Sequence, residues 1–526
     1  MSTERREFDL IIIGSGISGL SAAISAAEQG METALISKES ALEQCNTRYA
    51  QGGIVGLGRG DSPELLAKDI TLAGDGINYR DAVHLLAAEG PRLVEEFLID
   101  KIGVEFCRNE EGAPDLTQEA AHSLRRIYHV KDTTGQSIEE KLLRYASDLK
   151  GITALRNHMA VELITNTHNS RDPRERYRRT RAIGAYVLEG EAGRVEVFFA
   201  PSVILATGGV GDLYLHTSNP PGATGDGVAM AYRIGAEVIN AEYVQFHPTL
   251  LFHRDVKRFL ISESLRGEGA KLMNKKGQYF MEKYDPARRD LAPRDEVARA
   301  ICREMELEDR EYVMLDARCV QDLDLEQRFP GIFQQCRKAD IDIRKEPIPV
   351  VPAAHYFCGG VKVNLAGRTS ISGLYAVGET ACTGVHGANR LASVSLLEGL
   401  VWGIKAGSDA ARNRFDLSVK LKNAIPDWVY PAPEEVFDPA LIGNDLSTIQ
   451  SLMWNYAGIL RTRKRLRRAL ADLNYLCHRI ERFYQDARLT RRIIELRNSA
   501  LTASLIVRAA LANKDSRGCH YLEENP

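Results

Sequence analysis

One stretch near the start constrains the chain most: Phe8-Asp-Leu-Ile-Ile-Ile-Gly14-Ser-Gly16-Ile-Ser-Gly19-Leu-Ser-Ala-Ala-Ile. Leu10 to Ile13 is a short apolar run of the kind a buried parallel strand shows. Gly14-x-Gly16-x-x-Gly19 follows at once, with Ile17 and Ser18 between the last two glycines. An Ala-rich helical pattern then runs from Leu20 to Gln29 and closes at Gly30, and Met31 to Ser37 reads as a second strand. Strand, glycine turn, helix and strand within about 30 residues form the context of a dinucleotide fingerprint. Gly14 permits the tight turn, Gly16 lets the backbone approach a pyrophosphate, and Gly19 lets helix and strand pack closely. The helix start offers free N–H groups and a positive dipole end to the phosphates. The bland alternative is a structural glycine turn. The fingerprint does not separate FAD from NAD, and the acid expected at the end of the second strand is displaced: Ser37-Lys38 stand there and Glu39 comes just after.

The chain has 526 residues, too many for one core, so about two to four domains are expected. A net charge of -3 gives no global argument for nucleic acid or an anionic membrane. No run of apolar residues is long enough to span a bilayer. Met1 to Glu7 leads directly into the first strand, which leaves no room for a signal peptide. Nine cysteines are scattered from Cys45 to Cys519 with no CxxC pair, which points to free thiols in a reducing cytoplasm.

Cys45-Asn46-Thr47-Arg48-Tyr49-Ala50-Gln51-Gly52-Gly53 suits a loop whose amides approach a ligand, and equally a plain turn. Ser62 to Leu98 has helical apolar spacing and reads as two packing helices. Glu119, His122, Ser123, Arg125 and Arg126 crowd one stretch. A solvated charged face is the default there. The helix predicted over Ser137 to Leu149 instead places the stretch on a loop between ordered elements, where sites are often carried. Residues 151–200 predict a small sheet with an exposed, mobile polar tip from Asn166 to Arg181. Ser202 to Gly209 is a buried strand ending in Thr-Gly-Gly, the pattern that closes a nucleotide site. Gly225-Asp226-Gly227 caps a helix or accepts from ligand hydroxyls. Gln245-Phe246-His247-Pro248-Thr249 is expected at a strand end, with Pro248 fixing the chain after His247. Ser262-Glu263 offers a hydroxyl beside a carboxylate, and Arg294 stands at a helix start, where the dipole prefers acids. Arg294 therefore needs another reason, and an anion is one. His355 opens a Gly-Gly segment, Glu379 ends a buried strand, and His386 to Ser395 is a polar loop entering a helix. Pro426, Pro431 and Pro433 mark a loop before long helices from about Asp445 to Asn513. The basic run Arg461 to Arg468 carries Leu460, Leu466, Leu470 and Leu473 on one side, which favours a solvated helix face or a subunit contact over nucleic acid.

Taken together, Tyr49-Ala-Gln-Gly-Gly53, Gln245 to Thr249, Gly267-Glu-Gly269, Pro293-Arg-Asp295, His355-Tyr356 with Gly359-Gly360, and His386-Gly-Ala-Asn-Arg390 resemble the succinate dehydrogenase and fumarate reductase flavoprotein superfamily, in its order and nearly end to end. Within it the chain is similar to the L-aspartate oxidase family. The resemblance implies an α/β fold: a Rossmann-like FAD-binding domain in two parts (1–240 and 353–420), an α+β capping domain (241–352) and a C-terminal helical domain (421–526).

It also implies roles. Gly14, Ser15, Gly16, Ile17, Ser18, Gly19, Lys38 and Asn46 to Gly53 would line FAD, with Asp226, Glu379, Ser395 and Leu396. His247, Ser262, His355 and Arg390 would hold two substrate carboxylates, with Gln245 and Glu263 nearby. Arg294 would move the proton, although the high pKa of Arg favours carboxylate binding on physical grounds. Glu119 would meet a substrate ammonium. The expected reaction is L-aspartate to iminosuccinate with oxygen or fumarate as electron acceptor, the first step of NAD biosynthesis, in the cytoplasm and upstream of quinolinate synthase, with no nucleic acid or membrane partner. The rival is a soluble fumarate reductase or succinate dehydrogenase flavoprotein.

Three departures stand out. Asn46 replaces the histidine that binds FAD covalently in the respiratory enzymes, so non-covalent FAD is expected. Ala120-Ala121 replace two glycines, which predicts a less flexible Glu119 loop. Val394 replaces an asparagine near the flavin.

Overall fold

The computed structural model describes residues 4–119, 121–191, 193–321, 323–430 and 438–523. Ala120, Pro431 and Pro433 lie outside the described residues.

The fingerprint strand Leu10–Ile13 is buried throughout and lies inside a five-stranded parallel sheet. Across that sheet the order is Leu374–Ala376, Ser202–Leu205, Leu10–Ile13, Thr33–Ile36 and Ile152–Leu155. Strands buried on both faces read as continuous apolar runs, which is why these were legible. A second sheet joins Arg5–Glu7, Arg194–Phe199, Ala182–Glu189 and His158–Thr165. The segment expected as its mobile tip is instead folded into two short helical turns, Asn166–Asn169 and Pro173–Tyr177. The buried Asn166 amide fixes it by donating to Glu175 Oε2 at 3.1 Å and accepting from the Arg181 N–H at 2.8 Å.

The fingerprint helix Ile17–Ala27 packs on Val394–Arg412, and glycines set how close they come. Gly399, Gly403 and Gly407 recur every four residues and form one stripe. A Cβ on Gly403 would meet the Ser18 carbonyl oxygen at 2.5 Å, and one on Gly407 the Ala22 oxygen at 2.3 Å. On the other side of the fingerprint helix, a Cβ on Gly19 would lie 2.0 Å from the Gly14 oxygen.

A four-stranded antiparallel sheet runs Val244–Leu251, Ile348–Phe357, Val313–Asp316 and Lys271–Met273. Its helices cover a separate core that includes Leu265, Leu272, Ile301 and Leu315. Gln245 to Thr249 lies inside the first of these strands rather than at a strand end. Pro248 has no N–H to give the ladder, and the register shifts between His247 and Leu250. The shift leaves the Thr249 N–H free to donate to His247 Nδ1 at 3.2 Å. His355 likewise lies within Ile348–Phe357.

Three helices, Pro439–Ala457, Arg463–Asp486 and Arg491–Ala512, close the chain. The basic run lies on an amphipathic helix that buries Leu466, Ala469 and Leu473. No helix of the described residues is long and apolar enough to cross a membrane.

The glycine stripe gives a direct test. Gly403→Ala is expected to destabilise the protein by about 1–3 kcal/mol through overpacking. Gly443→Ala, in helix Pro439–Ala457 with no atom near its added Cβ, is expected to be neutral or stabilising by up to about 1 kcal/mol. Thermal unfolding of both variants checks this, and equal melting temperatures would contradict it.

Candidate active site

A continuous cavity of about 510 Å³ lies between the parallel sheet, the four-stranded antiparallel sheet and the two glycine-packed helices. The residues that line it fall into two groups.

The first group is the nucleotide side. Gly14, Ser15, Gly16, Ile17, Ser18, Lys38, every residue from Asn46 to Gly53, Asp226, Glu379, Ser395 and Leu396 line the cavity. Gly19 does not, because it is spent on the close contact with Gly14. Helix Ile17–Ala27 begins at Gly16 with no side-chain cap. Thr47 Oγ1 takes the Ile17 N–H at 3.0 Å and fixes the loop against the helix start. Helix Val394–Arg412 also begins uncapped, at Ser393, so two helix N-termini serve one cavity. Val394, where an amide side chain was expected, is an ordinary buried residue of that first turn. Asn46–Tyr49 forms a short helical turn, and Gly52 lies against Glu119, whose Oε1 would be 2.6 Å from an added Cβ.

Lys38 is held by three acceptors: Gly222 O and Asp226 Oδ2, both at 2.6 Å, and Glu495 Oε1 at 2.8 Å. Burial works against its charge, but Asp226 and Glu495 outweigh this and push its pKa up to about 12. Asp226 Oδ1 accepts from Asn498 Nδ2 at 2.8 Å, so the C-terminal helix braces this corner. Glu39 pairs with Arg491 of the same helix. These partners were not predicted, since nothing in the sequence links residues 491–498 to the first strands. Asn46 donates to Glu379 Oε2 at 3.1 Å.

The second group is a cluster of cations around a carboxylate. Arg294 opens helix Arg294–Glu308, and its Nε donates to Glu263 Oε2 at 2.6 Å. Asp295 and Glu296 in the same turn satisfy the dipole that Arg294 does not. Arg266, fully buried behind the cavity wall, lies 3.9 Å from the same Glu263 oxygen and also donates to the Asp290 carbonyl. Ser262 caps the short turn that carries Glu263 and Arg266. Among the described residues Arg390 makes no salt bridge and its buried Nε has no hydrogen-bond partner; its guanidinium lies 4.6 Å over the Tyr356 ring. Tyr356 is anchored in turn by its hydroxyl, which donates to Glu398 Oε2 at 2.7 Å.

Two imidazoles complete this side, with His247 and His355 ring centres 5.4 Å apart. Burial first, and then the neighbouring arginines, hold both well below the ordinary histidine range, so both are neutral. The Thr249 N–H on Nδ1 leaves the His247 proton on Nε2, ready to donate. Ser218 Oγ lies 2.7 Å from His355 Nδ1, a partner the sequence did not announce. Burial lowers the Arg294 pKa, but Glu263 and then Glu119 outweigh it, and the net shift is upward. Arg390, with Arg294 beside it and no carboxylate bonded, is shifted down by burial.

Of the Glu119 stretch, Glu119 alone lines the cavity. Ser393 Oγ donates to its Oε2 at 2.7 Å. Ser123 and Arg126 belong to a buried ion cluster with Asp61 and Asp69. Ala121 has a left-handed φ of 67°, a conformation in which the glycine expected there would cost nothing. Gln245 is the second correction. It is wholly buried, does not line the cavity, and spends its Nε2 on Asn389 Oδ1 and Arg390 O.

A family model for an FAD binding domain matches residues 9–396, and one for a fumarate reductase flavoprotein C-terminal region matches residues 447–526. The chain is 43% identical to an L-aspartate oxidase of Acinetobacter baylyi, covering 99% of this chain and 94% of that one. It is 42% identical to an L-aspartate oxidase of Pseudomonas aeruginosa over 100% and 96% of the two chains. An E. coli quinol fumarate reductase structure superposes with a TM-score of 0.87 at 26% identity, covering 99% of this chain and 92% of that one.

The cofactor is FAD, and the residues present fit it. Two uncapped helix starts suit a pyrophosphate and a flavin carbonyl. Gln51 lines the cavity with a buried Oε1 that has no partner among the described residues, an acceptor for a ligand N–H. Asn46 carries an amide, whose nitrogen lone pair is delocalised and cannot attack a flavin, so the cofactor is held without a covalent bond.

Glu379 supplies a pH test. Burial raises its carboxyl to about 7 against the opposing help of the Phe357 N–H, Arg390 and Asn46. Between the ordinary carboxyl value of 4.5 and about 7 the folded protein therefore keeps a proton that the unfolded chain has lost. Stability falls as pH rises through that window, by on the order of 2–3 kcal/mol. Thermal unfolding of the flavin-free protein at pH 5 and pH 8 is expected to show a more favourable pH dependence in Glu379→Gln than in the wild type by about this amount, while buried Glu139 and the buried histidines contribute equally to both. A variant with the wild-type slope would contradict the assignment.

Proposed function

This chain belongs to the L-aspartate oxidase family of FAD-binding flavoproteins, and from that premise we propose that it oxidises L-aspartate to iminosuccinate. FAD, when bound, supplies the two-electron acceptor, and the protein supplies position and electrostatics. The observation that carries the reading is the charge pattern on one wall. Arg294 and Arg390 with two neutral imidazoles suit two carboxylates, and Glu119 gives the same cavity an acid for an ammonium. A plain dicarboxylate has nothing to offer Glu119.

Each side chain then has one task. Arg390, whose Nη1 is turned to the Leu391 carbonyl and the Ser395 hydroxyl, binds one substrate carboxylate through Nε, which has no partner among the described residues. His247 donates Nε2–H, and His355 and Ser262 add donors nearby. Arg294, its charge reinforced by Glu263, binds the second carboxylate. An upward-shifted guanidinium is a poor base. Glu119 is the better station for the proton that leaves the amine, and the Ser393 hydroxyl keeps its carboxylate turned toward the cavity. The capping sheet excludes water from the reacting carbon. Electrons leave to oxygen or fumarate, and the product feeds quinolinate synthase in cytoplasmic NAD biosynthesis.

The rival activity, fumarate reduction or succinate oxidation, is favoured by the likeness to the fumarate reductase structure. Flavin absorbance of the loaded protein, mixed anaerobically with L-aspartate or with succinate, decides between them. Bleaching by L-aspartate but not by succinate is expected, and bleaching by succinate alone would overturn the proposal. Glu119→Gln is expected to lower kcat/KM for L-aspartate by about 100-fold, while fumarate affinity changes by less than about threefold, because the lost charge-assisted contact serves only the amine.

A further inference from the structure

Three polar side chains lie behind the cavity wall without lining it: Gln245, Asp295 and Asn389. Each is one or two residues from a group that does line it, namely His247, Arg294 and Arg390. They come from three separate elements: strand Val244–Leu251, helix Arg294–Glu308 and the loop before helix Val394–Arg412.

One amide joins all three. Asn389 Oδ1 accepts from Gln245 Nε2 at 2.6 Å, and Asn389 Nδ2 donates to Asp295 Oδ1 at 3.1 Å. Asp295 is completed by Arg299 at 2.9 Å. Gln245 Nε2 also donates to the Arg390 carbonyl at 2.8 Å, and Cys519 Sγ of the C-terminal tail donates to Asn389 Oδ1 at 3.3 Å. The direction of the chain is fixed at both ends. Gln245 gives its N–H groups to two oxygens, and the Asp295 carboxylate only accepts. Asn389 must therefore present oxygen to one neighbour and nitrogen to the other. An amide does this; a carboxylate, a hydrocarbon or an amine does not.

We propose that Asn389 is a positioning residue for dicarboxylate recognition: by tying the strand of His247 and the helix of Arg294 to the loop of Arg390, it sets the spacing between the two carboxylates the cavity accepts. This rests on the substrate reading above. Glu263 and Tyr356 orient the side chains of Arg294 and Arg390. Asn389 instead fixes the relative position of the backbones that carry them, across the joint between the capping sheet and the nucleotide-binding part. A small shift there moves one cation relative to the other, and errors of about 1 Å in such placement are costly. Asn389 touches no substrate, so its effect is on substrate affinity and not on the chemical step.

A charge swap tests this. Asn389→Asp places two carboxylates face to face, and Asp295→Asn leaves two amides. In the double variant the new amide at position 295 donates to the new carboxylate at position 389, which still accepts from Gln245. Fumarate affinity of the oxidised, flavin-loaded protein is read from the flavin spectrum, with KM and kcat for L-aspartate alongside. Asn389→Asp is expected to weaken fumarate by about tenfold or more and to raise KM more than it lowers kcat, with flavin content unchanged. The double variant is expected to recover to within about threefold of wild type, because the two sites are directly coupled. A merely structural asparagine gives no such recovery. Wild-type affinity in Asn389→Asp, or a double variant no better than that single one, overturns the proposal. If Asn389→Asp loads no flavin, Asp295→Leu, which leaves Asn389 Nδ2 without its acceptor, must weaken fumarate by at least about threefold, and unchanged affinity overturns the proposal. A wild-type protein that binds neither fumarate nor L-aspartate overturns the substrate reading as well, which separates the two failures.

Discussion

The distance between two helices governs this molecule. Ile17–Ala27 and Val394–Arg412 meet along Gly399, Gly403 and Gly407, where any Cβ would press on the opposite helix. Parts of the chain more than 370 residues apart thereby present their N-termini to one cavity. Neither start is capped by its own N-cap side chain, and beyond the Ile17 N–H that Thr47 takes, the remaining N–H groups in a buried setting cost free energy unless something accepts from them. A nucleotide with a pyrophosphate at one end and carbonyls at the other answers that need. The parallel sheet, the tight Gly14 turn and the Gly19 contact are what let the first helix arrive at that distance.

The substrate side depends on an electrostatic balance that the protein completes only in part. Arg266 and Arg294 share Glu263, while Arg390 is offered an aromatic face and no carboxylate. Burying an unpaired guanidinium is expensive, and this cost is what gives an incoming carboxylate its binding energy. The neighbouring imidazoles cannot share the load as cations, because burial and the arginines keep them neutral. They act instead as directed donors, and the Pro248 irregularity in the strand fixes the direction of one of them.

Much of this was legible because local rules carry it. Buried parallel strands are apolar runs, glycine turns declare themselves, and an arginine at a helix start violates a known preference, which singled out Arg294, a residue that lines the cavity. The sequence is silent where contacts join distant segments. Asn498, Glu495 and Arg491 brace the nucleotide corner from the last helix, and no local pattern announces them. Ser218 and Ser393 are ordinary serines until the fold puts them beside His355 and Glu119. Gln245 misled in the opposite way, since its place in a motif suggested contact with substrate and the fold uses it to hold the loop of Arg390. The polar segment after Asn166 looked unstructured because side-chain hydrogen bonds, those of the buried Asn166 amide among them, order it rather than an apolar pattern.

Glu119 shows how a functional position is built where neither helix nor strand can supply it. Its loop and the Ser393 loop are tied twice, in opposite directions. Ser393 Oγ donates to Glu119, and His122, kept neutral by burial, bonds through Nε2 to the Ala392 carbonyl at 3.0 Å. Both loops bend through left-handed residues that are not glycine, Ala121 with φ 67° and Ser393 with φ 58°. Each such bend costs about 1 kcal/mol or more and persists only when its surroundings over-determine it. Here the paired ties do that. His122, which reads in the sequence as part of a reactive cluster, is therefore a structural tie whose position holds the acid. An alanine in place of glycine at position 121 reduces the conformations open to the unfolded loop as well, so the strain is partly offset there. The Glu119 carboxylate, which we propose meets the substrate amine, is thus held by two ordinary hydrogen bonds and two strained turns, all of them outside regular secondary structure.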